Sequence, residues 1–201
     1  AGSTLLNGTS AASQVVLAGG TLVLGAAERL SDAAVLAVLS GATLDLGAFA
    51  EAVASAGIAG TLSGTGTLTA QTYDLAGGVA NANLGTGTLF ASGAAVLNGT
   101  SAASRVEISN GTLTLGGNER IANGAVVGIA SNGTLNLAGN SEAIGTLFGA
   151  GAISLGAGRL TVDQSANSSY AGVISGSGGL TKAGSGLLEL TGVNTYTGPT
   201  L

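Results

Sequence analysis

The sequence predicts an all-β fold, a right-handed parallel β-helix (solenoid) of about nine turns with about 22 residues in each. Three observations support this prediction. A unit of about 22 residues occurs twice in succession between Asn110 and Asn140. Each copy contains a Thr-Leu-x-Leu strand in which apolar side chains recur with period two. The chain is also rich in apolar residues but has only 7% charged residues, the reverse of the balance typical of disorder.

The Thr-Leu-x-Leu strands are the elements that the solenoid stacks. A strand of this length cannot bury its apolar face alone, whereas the stacking of similar units builds a continuous core. We therefore expect Leu22, Leu44, Leu113 and Leu135 to point inward on one face of the coil. Crossovers between parallel strands are right-handed, which sets the predicted handedness.

Repeats of two lengths predict how the turns are aligned. Threonines that open similar strands recur at steps close to 22 residues, namely Thr21 to Thr43, Thr67 to Thr88, Thr88 to Thr112 and Thr112 to Thr134. A longer repeat is superimposed on these steps, because LNGTSAAS at Leu6–Ser13 recurs unchanged at Leu97–Ser104. Two copies of one repeat are expected to share one structure.

One stretch has a competing helical signal. Residues Ala26–Leu39 have the composition of an amphipathic helix. The equivalent stretch in the second copy, Gly117–Ala130, carries asparagine and glycines that a helix tolerates poorly. Both stretches are therefore predicted to form short strands and corners, and a bulging helical turn is left open for Ala48–Gly57.

Charge and composition exclude several classes of function. The net charge is −5 and Lys182 is the only lysine, so electrostatic binding of nucleic acid or anionic lipid is not expected. Histidine and cysteine are absent, which removes the usual base of hydrolases, disulfides and thiolate metal sites. The longest apolar run, Ala33–Leu39, is too short for a transmembrane helix.

Two pairs of glutamates are the strongest candidates for chemistry. Glu28 and Glu51 occupy similar places in neighbouring units, and Glu119 and Glu142 repeat the arrangement. Adjacent turns could bring each pair to within about 5–10 Å. That separation suits glycoside hydrolysis or a calcium ion. The sequence favours a third interpretation, a solvated corner neutralised by the adjacent arginine, so we predict no catalytic residue, no cofactor site and no metal ligand.

Four Asn-Gly-Thr sequences begin at Asn7, Asn98, Asn110 and Asn132. Each is formally a glycosylation sequon. Asn-Gly more strongly predicts a corner in left-handed backbone geometry.

The six aromatic residues are scattered along the chain. Their scatter predicts that they fill the interior of the coil and cap its ends, and argues against a surface of aromatic rings that binds a ligand. They are Phe49, Tyr73, Phe90, Phe148, Tyr170 and Tyr196.

The last stretch, Gly178–Leu201, reads GGLTKAGSGLLELTGVNTYTGPTL. It resembles the autotransporter-associated β-strand repeat, also called the passenger-associated transport repeat. Leu187 departs from that pattern, which usually has threonine there. The residues that match it are Lys182, Gly184, Gly186, Leu188, Leu190, Gly192, Asn194, Thr195, Tyr196, Thr197 and Gly198. The preceding stretch, Ile144–Gly178, is similar to what commonly flanks this repeat, and the rest of the chain resembles the family only in its solenoid style.

The resemblance implies that residues 1–178 are a β-helix passenger segment and that residues 179–201 are a transport repeat continuing the same β-helix. It implies a secreted or cell-surface protein of a Gram-negative bacterium, exported by type V secretion through a C-terminal outer-membrane barrel outside this sequence. The expected partners are that barrel, a host or bacterial surface protein or glycan, and further copies of the chain. No cofactor is expected.

The function expected from these observations is non-enzymatic: adhesion, self-association or a stalk, with the last repeat aiding export. One alternative is an exoprotein of the haemagglutinin type, exported by two-partner secretion. A second is a polysaccharide-active β-helix enzyme, which would need a groove rich in acidic residues. A third is an ice-binding solenoid, but its rows of Thr-x-Thr are interrupted here at Val23, Asp45 and Asn136. The chain begins and ends in mid-pattern, which predicts a segment of a longer protein.

Overall fold

The computed structural model describes residues 2–201 and has the form of a parallel β-solenoid with about ten turns. Twenty-three strands alternate with corners, and the described residues contain no helix. No helical segment long and apolar enough to cross a membrane is therefore found in this range. The predicted fold class is confirmed.

The strands are short except for three that bend around a corner of the coil. In the first half of the chain they are β1 (Ser3–Leu6), β2 (Gln14–Leu17), β3 (Gly20–Leu24), β4 (Val35–Val38), β5 (Ala42–Asp45), β6 (Ala50–Ala52), β7 (Ser55–Ile58), β8 (Thr61–Ser63), β9 (Thr67–Thr69), β10 (Thr72–Ala76), β11 (Val79–Ala80), β12 (Asn83–Leu84) and β13 (Thr88–Leu97). In the second half they are β14 (Arg105–Leu115), β15 (Val126–Asn136), β16 (Glu142–Ile144), β17 (Thr146–Gly149), β18 (Ala152–Ser154), β19 (Arg159–Asp163), β20 (Ser168–Tyr170), β21 (Val173–Ser175), β22 (Gly179–Ala183) and β23 (Leu188–Leu190).

Two faces of the coil are built from one continuous sheet of 17 strands. The first face, which we call the TLxL face, stacks β1, β3, β5, β8 and β11 in parallel, then the C-terminal halves of β13–β15, then β18 and β21. The second face stacks β2, β4, β7 and β10, the N-terminal halves of β13–β15, and β17, β20 and β23. The long strands β13–β15 join the two faces because each bends from one to the other.

A third face is narrower. It consists of two three-stranded sheets, β6-β9-β12 and β16-β19-β22. Single parallel bridges from Leu84 to Ser101 and from Ser101 to Ile121 extend the first of these sheets toward the second. Because the strands of this face are short, much of its surface is made of corners, and these corners carry the candidate sites described below.

The core is a single stack of aliphatic side chains inside the coil. Leu22 pairs with Leu44, and Leu113 pairs with Leu135. Leu44, Leu113 and Leu135 are completely buried, whereas Leu22 is partly buried against the core. The predicted inward stack of these leucines is confirmed, and the outward alternation of the threonines follows from strand geometry.

The turns are less uniform than the sequence predicts. A turn takes 22 residues between Leu22 and Leu44 but only 17 between Ala80 and Leu97. Because some turns are shorter than the predicted 22 residues, the chain forms about ten turns and not the predicted nine. The corners differ in length, and a register shift also interrupts the pairing of the bent strands, at Ala91–Ser92 between β13 and β14 and at Ile108–Asn110 between β14 and β15.

Two of the predicted threonine steps are wrong as a result. Thr67 lies on the third face and pairs with Asn83, whereas Thr88 lies on the second face and pairs with Thr72 and Arg105. The step from Thr88 to Thr112 fails in the same way, because Thr112 is on the TLxL face. The other two steps are confirmed: Thr21 pairs with Thr43, and Thr112 with Thr134.

The Asn-Gly sequences are corners or bends, but left-handed backbone is not their common property. Among the four, only Gly111 has a positive φ, of 99°. Asn110 and Asn132 lie within the bent strands β14 and β15. Non-glycine residues with positive φ occur elsewhere, at Glu28, Glu119 and Ala138. The prediction of left-handed Asn-Gly corners is therefore wrong for most of these pairs.

Candidate functional site

The first predicted glutamate pair forms a corner in which a buried carboxylate holds the backbone of the preceding turn. Glu51 is only 1% exposed, and its two oxygens accept hydrogen bonds from the N–H groups of Arg29 (2.7 Å) and Leu30 (3.0 Å). Glu28 has φ = 53°, and its N–H donates to the carbonyl of Ala50 at 3.2 Å. Glu28, Arg29, Leu30 and Glu51 are called the Glu51 corner below.

The second pair forms the same structure. Glu142 is 1% exposed and accepts hydrogen bonds from the N–H groups of Arg120 (2.8 Å) and Ile121 (3.1 Å). Glu119 has φ = 51°, and its N–H donates to the carbonyl of Ser141 at 3.1 Å. Glu119, Arg120, Ile121 and Glu142 are called the Glu142 corner.

Burial dominates the electrostatics of both carboxylates. It raises the pKa of Glu142 to about 7, against the lowering effect of the two amide N–H groups. Burial also raises the pKa of Glu51, and the charges of Glu28 and Asp32 act in the same direction. The pKa of the buried carboxyl group is raised above its ordinary value in both corners, because the two carboxylates have similar surroundings.

These contacts decide what the glutamates can do. The two members of each pair do lie on neighbouring turns, but one is buried and the other is exposed. The buried carboxylate is not solvated, and the adjacent arginines bind it through their backbone N–H groups and not through an ion pair. The charge of Arg120 nevertheless lowers the pKa of Glu142, which opposes the effect of burial. Paired carboxylates that flank a sugar, as in glycoside hydrolysis, need both groups to reach the substrate. Within residues 2–201, no three acidic or other metal-ligating side chains cluster.

Two of the six aromatic residues fill the coil as expected, whereas Phe49 and Phe90 are exposed and Phe148 lies in the same outward column as Phe90. Tyr73 and Tyr170 are completely buried, and burial raises the pKa of both. The Tyr170 hydroxyl donates to the carbonyl of Gly151 at 2.8 Å. The Tyr73 hydroxyl accepts the N–H of Ala70 at 2.8 Å. It also lies near the carbonyl oxygen of Leu68, on the third face, and that of Thr86, in the corner between β12 and β13.

A second group of aromatic and charged residues forms an outward column on the second face. Phe90, Glu107, Gly128 and Phe148 occupy matching positions on four successive turns. Arg105 forms an ion pair with Glu107, and its guanidinium lies 5.3 Å from the centre of the Phe148 ring. Sequence analysis missed this column, because it depends on the alignment of four separate turns.

A concavity lies at the corner between the third and second faces. It has a volume of about 440 Å³ and spans four turns. We call it the corner groove; its lining residues are Asp32, Ala52, Val53, Thr69, Ala70, Gln71, Thr86 and Gly87. A smaller hollow of about 160 Å³ lies over Ala37 and Gly57 on the second face. Neither concavity is predicted by the sequence, since both result from differences in corner length or side-chain size between stacked turns.

The residues of the C-terminal motif make contacts that hold the last turn on the coil. The Asn194 side chain accepts the N–H of Ile174 at 2.9 Å. The Tyr196 hydroxyl bonds the Thr200 hydroxyl at 2.6 Å. The chain returns over the third face through a parallel bridge between Leu180 and Thr200.

Comparisons with protein-family models, with curated proteins and with solved structures return no match to this chain.

Proposed function

We propose that this chain is a segment of the secreted or surface-exposed passenger of a Gram-negative autotransporter. In this proposal it acts without catalysis, in adhesion, self-association or as a stalk. The observation that carries the proposal is the unbroken stack of turns, whose parallel pairing extends from β1 to the bridge between Leu180 and Thr200. Ten turns spaced by about 4.8 Å make a rod of about 48 Å. Such a rod displays variable outer residues on a constant core.

The glutamate corners support a scaffold role over a catalytic one. The carboxylates of Glu51 and Glu142 are the groups that the sequence singles out for acid–base chemistry. In the structure their oxygens accept hydrogen bonds from the backbone of the preceding turn. Their position is therefore explained by the need to satisfy buried N–H groups at a corner.

The last turn supports the proposed role in export. A solenoid can fold by propagation from any stable turn, so a well-bonded terminal turn can start the process. Asn194 and Tyr196 supply side-chain hydrogen bonds within this turn and to the turn below it. We propose that residues 179–201 act mainly in export and only secondarily in ligand binding.

The experiment is a deletion of residues 179–198 in the full-length parent, followed by two measurements. One is the amount of passenger exposed on the cell surface, and the other is adhesion per exposed molecule. The proposal expects reduced exposure with unchanged adhesion per molecule. Unchanged exposure with lost adhesion would assign ligand binding to this turn.

A two-partner-secreted exoprotein remains the alternative. It has the same coil but a transporter encoded separately from the passenger. Sequencing the reading frame downstream of residue 201 separates the two, because the autotransporter proposal requires the outer-membrane barrel in the same polypeptide.

A further inference from the structure

The corner groove exists because neighbouring corners differ in length. Four residues, 31–34, separate Leu30 from β4 in the second turn. Only two residues separate β6 from β7 and β9 from β10, and three separate β12 from β13. The longer corner therefore lies at one end of a row of shorter ones, and Asp32 on it lines the groove. Three steps between turns give the groove a length of about 14 Å along the rod.

Part of the backbone that surrounds the groove is already hydrogen-bonded. The N–H of Val53 donates to Thr69, and the N–H of Gln71 donates to Ala54. Beneath the groove, the buried Tyr73 hydroxyl joins adjacent turns, since it lies 3.1 Å from the Leu68 carbonyl and 3.0 Å from the Thr86 carbonyl. We therefore assign recognition of a ligand mainly to side chains, because the paired part of the backbone leaves little for an added strand to bond.

Four polar side chains that line the groove make no hydrogen bond within the described residues. They are the carboxylate of Asp32, the amide of Gln71 and the hydroxyls of Thr69 and Thr86. Val53 and Ala70, both buried, form an apolar floor between them. The lining therefore combines acceptors and donors around an apolar strip, as in pockets that orient a ligand with a few placed polar groups.

We infer that the corner groove binds a neutral carbohydrate. Hydroxyl groups of a sugar can donate to the Asp32 carboxylate and can both donate to and accept from Gln71 and the two threonines. The C–H face of a sugar ring fits the apolar floor of Val53 and Ala70. The volume of about 440 Å³ lies within the range of small-molecule sites, about 300–1,000 Å³.

The charge of the groove selects among carbohydrates. Asp32 is the only ionisable residue among the lining residues, so the groove carries a negative charge that disfavours sulfated or uronic-acid sugars. The exposed ring of Phe90, 42% accessible, lies three strand positions beyond Gly87, or about 10 Å away. A glycan longer than the groove can therefore continue over this ring.

This inference rests on the proposed adhesive function, and it names the ligand class and the place where that ligand binds. The test is calorimetric titration of the 201-residue chain with neutral disaccharides: lactose, maltose, cellobiose and N,N′-diacetylchitobiose. A disulfated heparin disaccharide is the anionic comparison. We expect saturable binding of at least one neutral disaccharide and none of the heparin probe.

Two substitutions and a matched control locate the site. Asp32→Ala and Gln71→Ala remove exposed side chains and should each weaken binding by about tenfold, the effect of losing one good hydrogen bond. Asn123→Ala is the control, because Asn123 occupies the place of Asp32 in the second copy of the long repeat and lies outside the groove. Its affinity should equal that of the unmodified chain.

The outcomes separate this inference from the proposed function. Absence of saturable binding by every neutral disaccharide, or binding that Asp32→Ala and Gln71→Ala leave unchanged, overturns the inference. Adhesion of cells that display the full-length parent is then measured with the same variants. If the cells adhere but the chain binds no sugar, the proposed adhesive function is supported and the sugar-binding inference is rejected. If the chain binds sugar but the cells do not adhere, the sugar-binding inference is supported and the proposed adhesive function is rejected.

Discussion

The two copies of the long repeat can be compared position by position, because an offset of 91 residues relates Leu6–Ser13 to Leu97–Ser104. The copies lie five turns apart on the TLxL face. The Glu51 corner and the Glu142 corner are equivalent under this offset. Their four carboxylate–amide distances run from 2.7 to 3.1 Å, and the exposed glutamates have φ of 53° and 51°.

The outer surface differs between the copies. Gln14, Val16 and Gly57 in the first copy are replaced by Arg105, Glu107 and Phe148 in the second. The first copy therefore has exposed Val16 beside the hollow over Gly57, whereas the second has an ion pair and an aromatic ring.

This comparison shows which residues of a turn can be substituted without loss of the fold. A corner carboxylate must satisfy two buried N–H groups, so its loss has an energetic cost wherever the corner occurs. An outward side chain contacts mainly its neighbours on the same face, so it can change without disturbing the core. Ligand specificity is expected to reside in the outward positions.

The largest effect is expected for an acidic substitution in the stack of leucines. Leu113→Asp places an unpaired charge where the side chain is completely buried, and should lower the free energy of unfolding by on the order of 4 kcal/mol. Leu22→Asp, its equivalent in the first copy, should cost less because Leu22 is only partly buried. Denaturant titration measures both. Thr114→Asp, on the outer side of the same strand, is the control, and an equal loss there would show that the assigned register is wrong.

Removal of a corner carboxylate comes next. Glu142→Ala leaves two N–H groups without their acceptor and should lower the free energy of unfolding by about 3 kcal/mol. Glu51→Ala should have a similar effect if the corners are equivalent. Glu189→Ala, an exposed glutamate in β23, should change stability by less than about 0.5 kcal/mol. A small effect at Glu142 alone would break the equivalence of the two copies.

The pH dependence of stability follows from the raised pKa of Glu142. Its folded value of about 7 exceeds the ordinary 4.5, so the folded chain binds more protons than the unfolded chain between these values. Stability from this group is therefore present at low pH and is lost as pH rises through about 4.5–7. It should be about 2 kcal/mol lower at pH 8 than at pH 5.

Chemical denaturation at the two pH values measures this difference, and Glu142→Gln should reduce it. Glu51 contributes in the same direction, since burial raises its pKa too. Greater stability at pH 8 would show that the amide N–H groups outweigh burial in setting the charge of these corners.

The smallest expected effect concerns one backbone position in each copy. Ala138 has φ = 52°, and its equivalent is Gly47, with φ = 58°. Alanine is strained in this region whereas glycine is not, so Ala138→Gly should raise the free energy of unfolding by about 0.5 kcal/mol. Gly47→Ala should lower it by about 1 kcal/mol. Thermal unfolding of both variants checks this, and two shifts of the same sign would contradict it.

Local patterns in the sequence were sufficient for the fold class. Alternating leucines, such as Leu113 and Leu115, indicate which side of a strand is buried. The repetition of this strand indicates that the buried sides of successive turns stack on one another. These signals are local, because side-chain alternation depends only on strand geometry. The choice of strands and corners over a helix for Ala26–Leu39 was also correct, and it came from comparing two copies within the chain.

Features that depend on how turns of unequal length align could be read only from the three-dimensional structure. Thr67 and Thr88 look equivalent in the sequence, but short corners place them on different faces. The same alignment buries Glu51 and Glu142 against backbone N–H groups and brings Phe90 into line with Phe148. It also forms the corner groove. The physical reason is that contacts between turns are set by the number of residues in each corner, which the pattern of the strands does not encode.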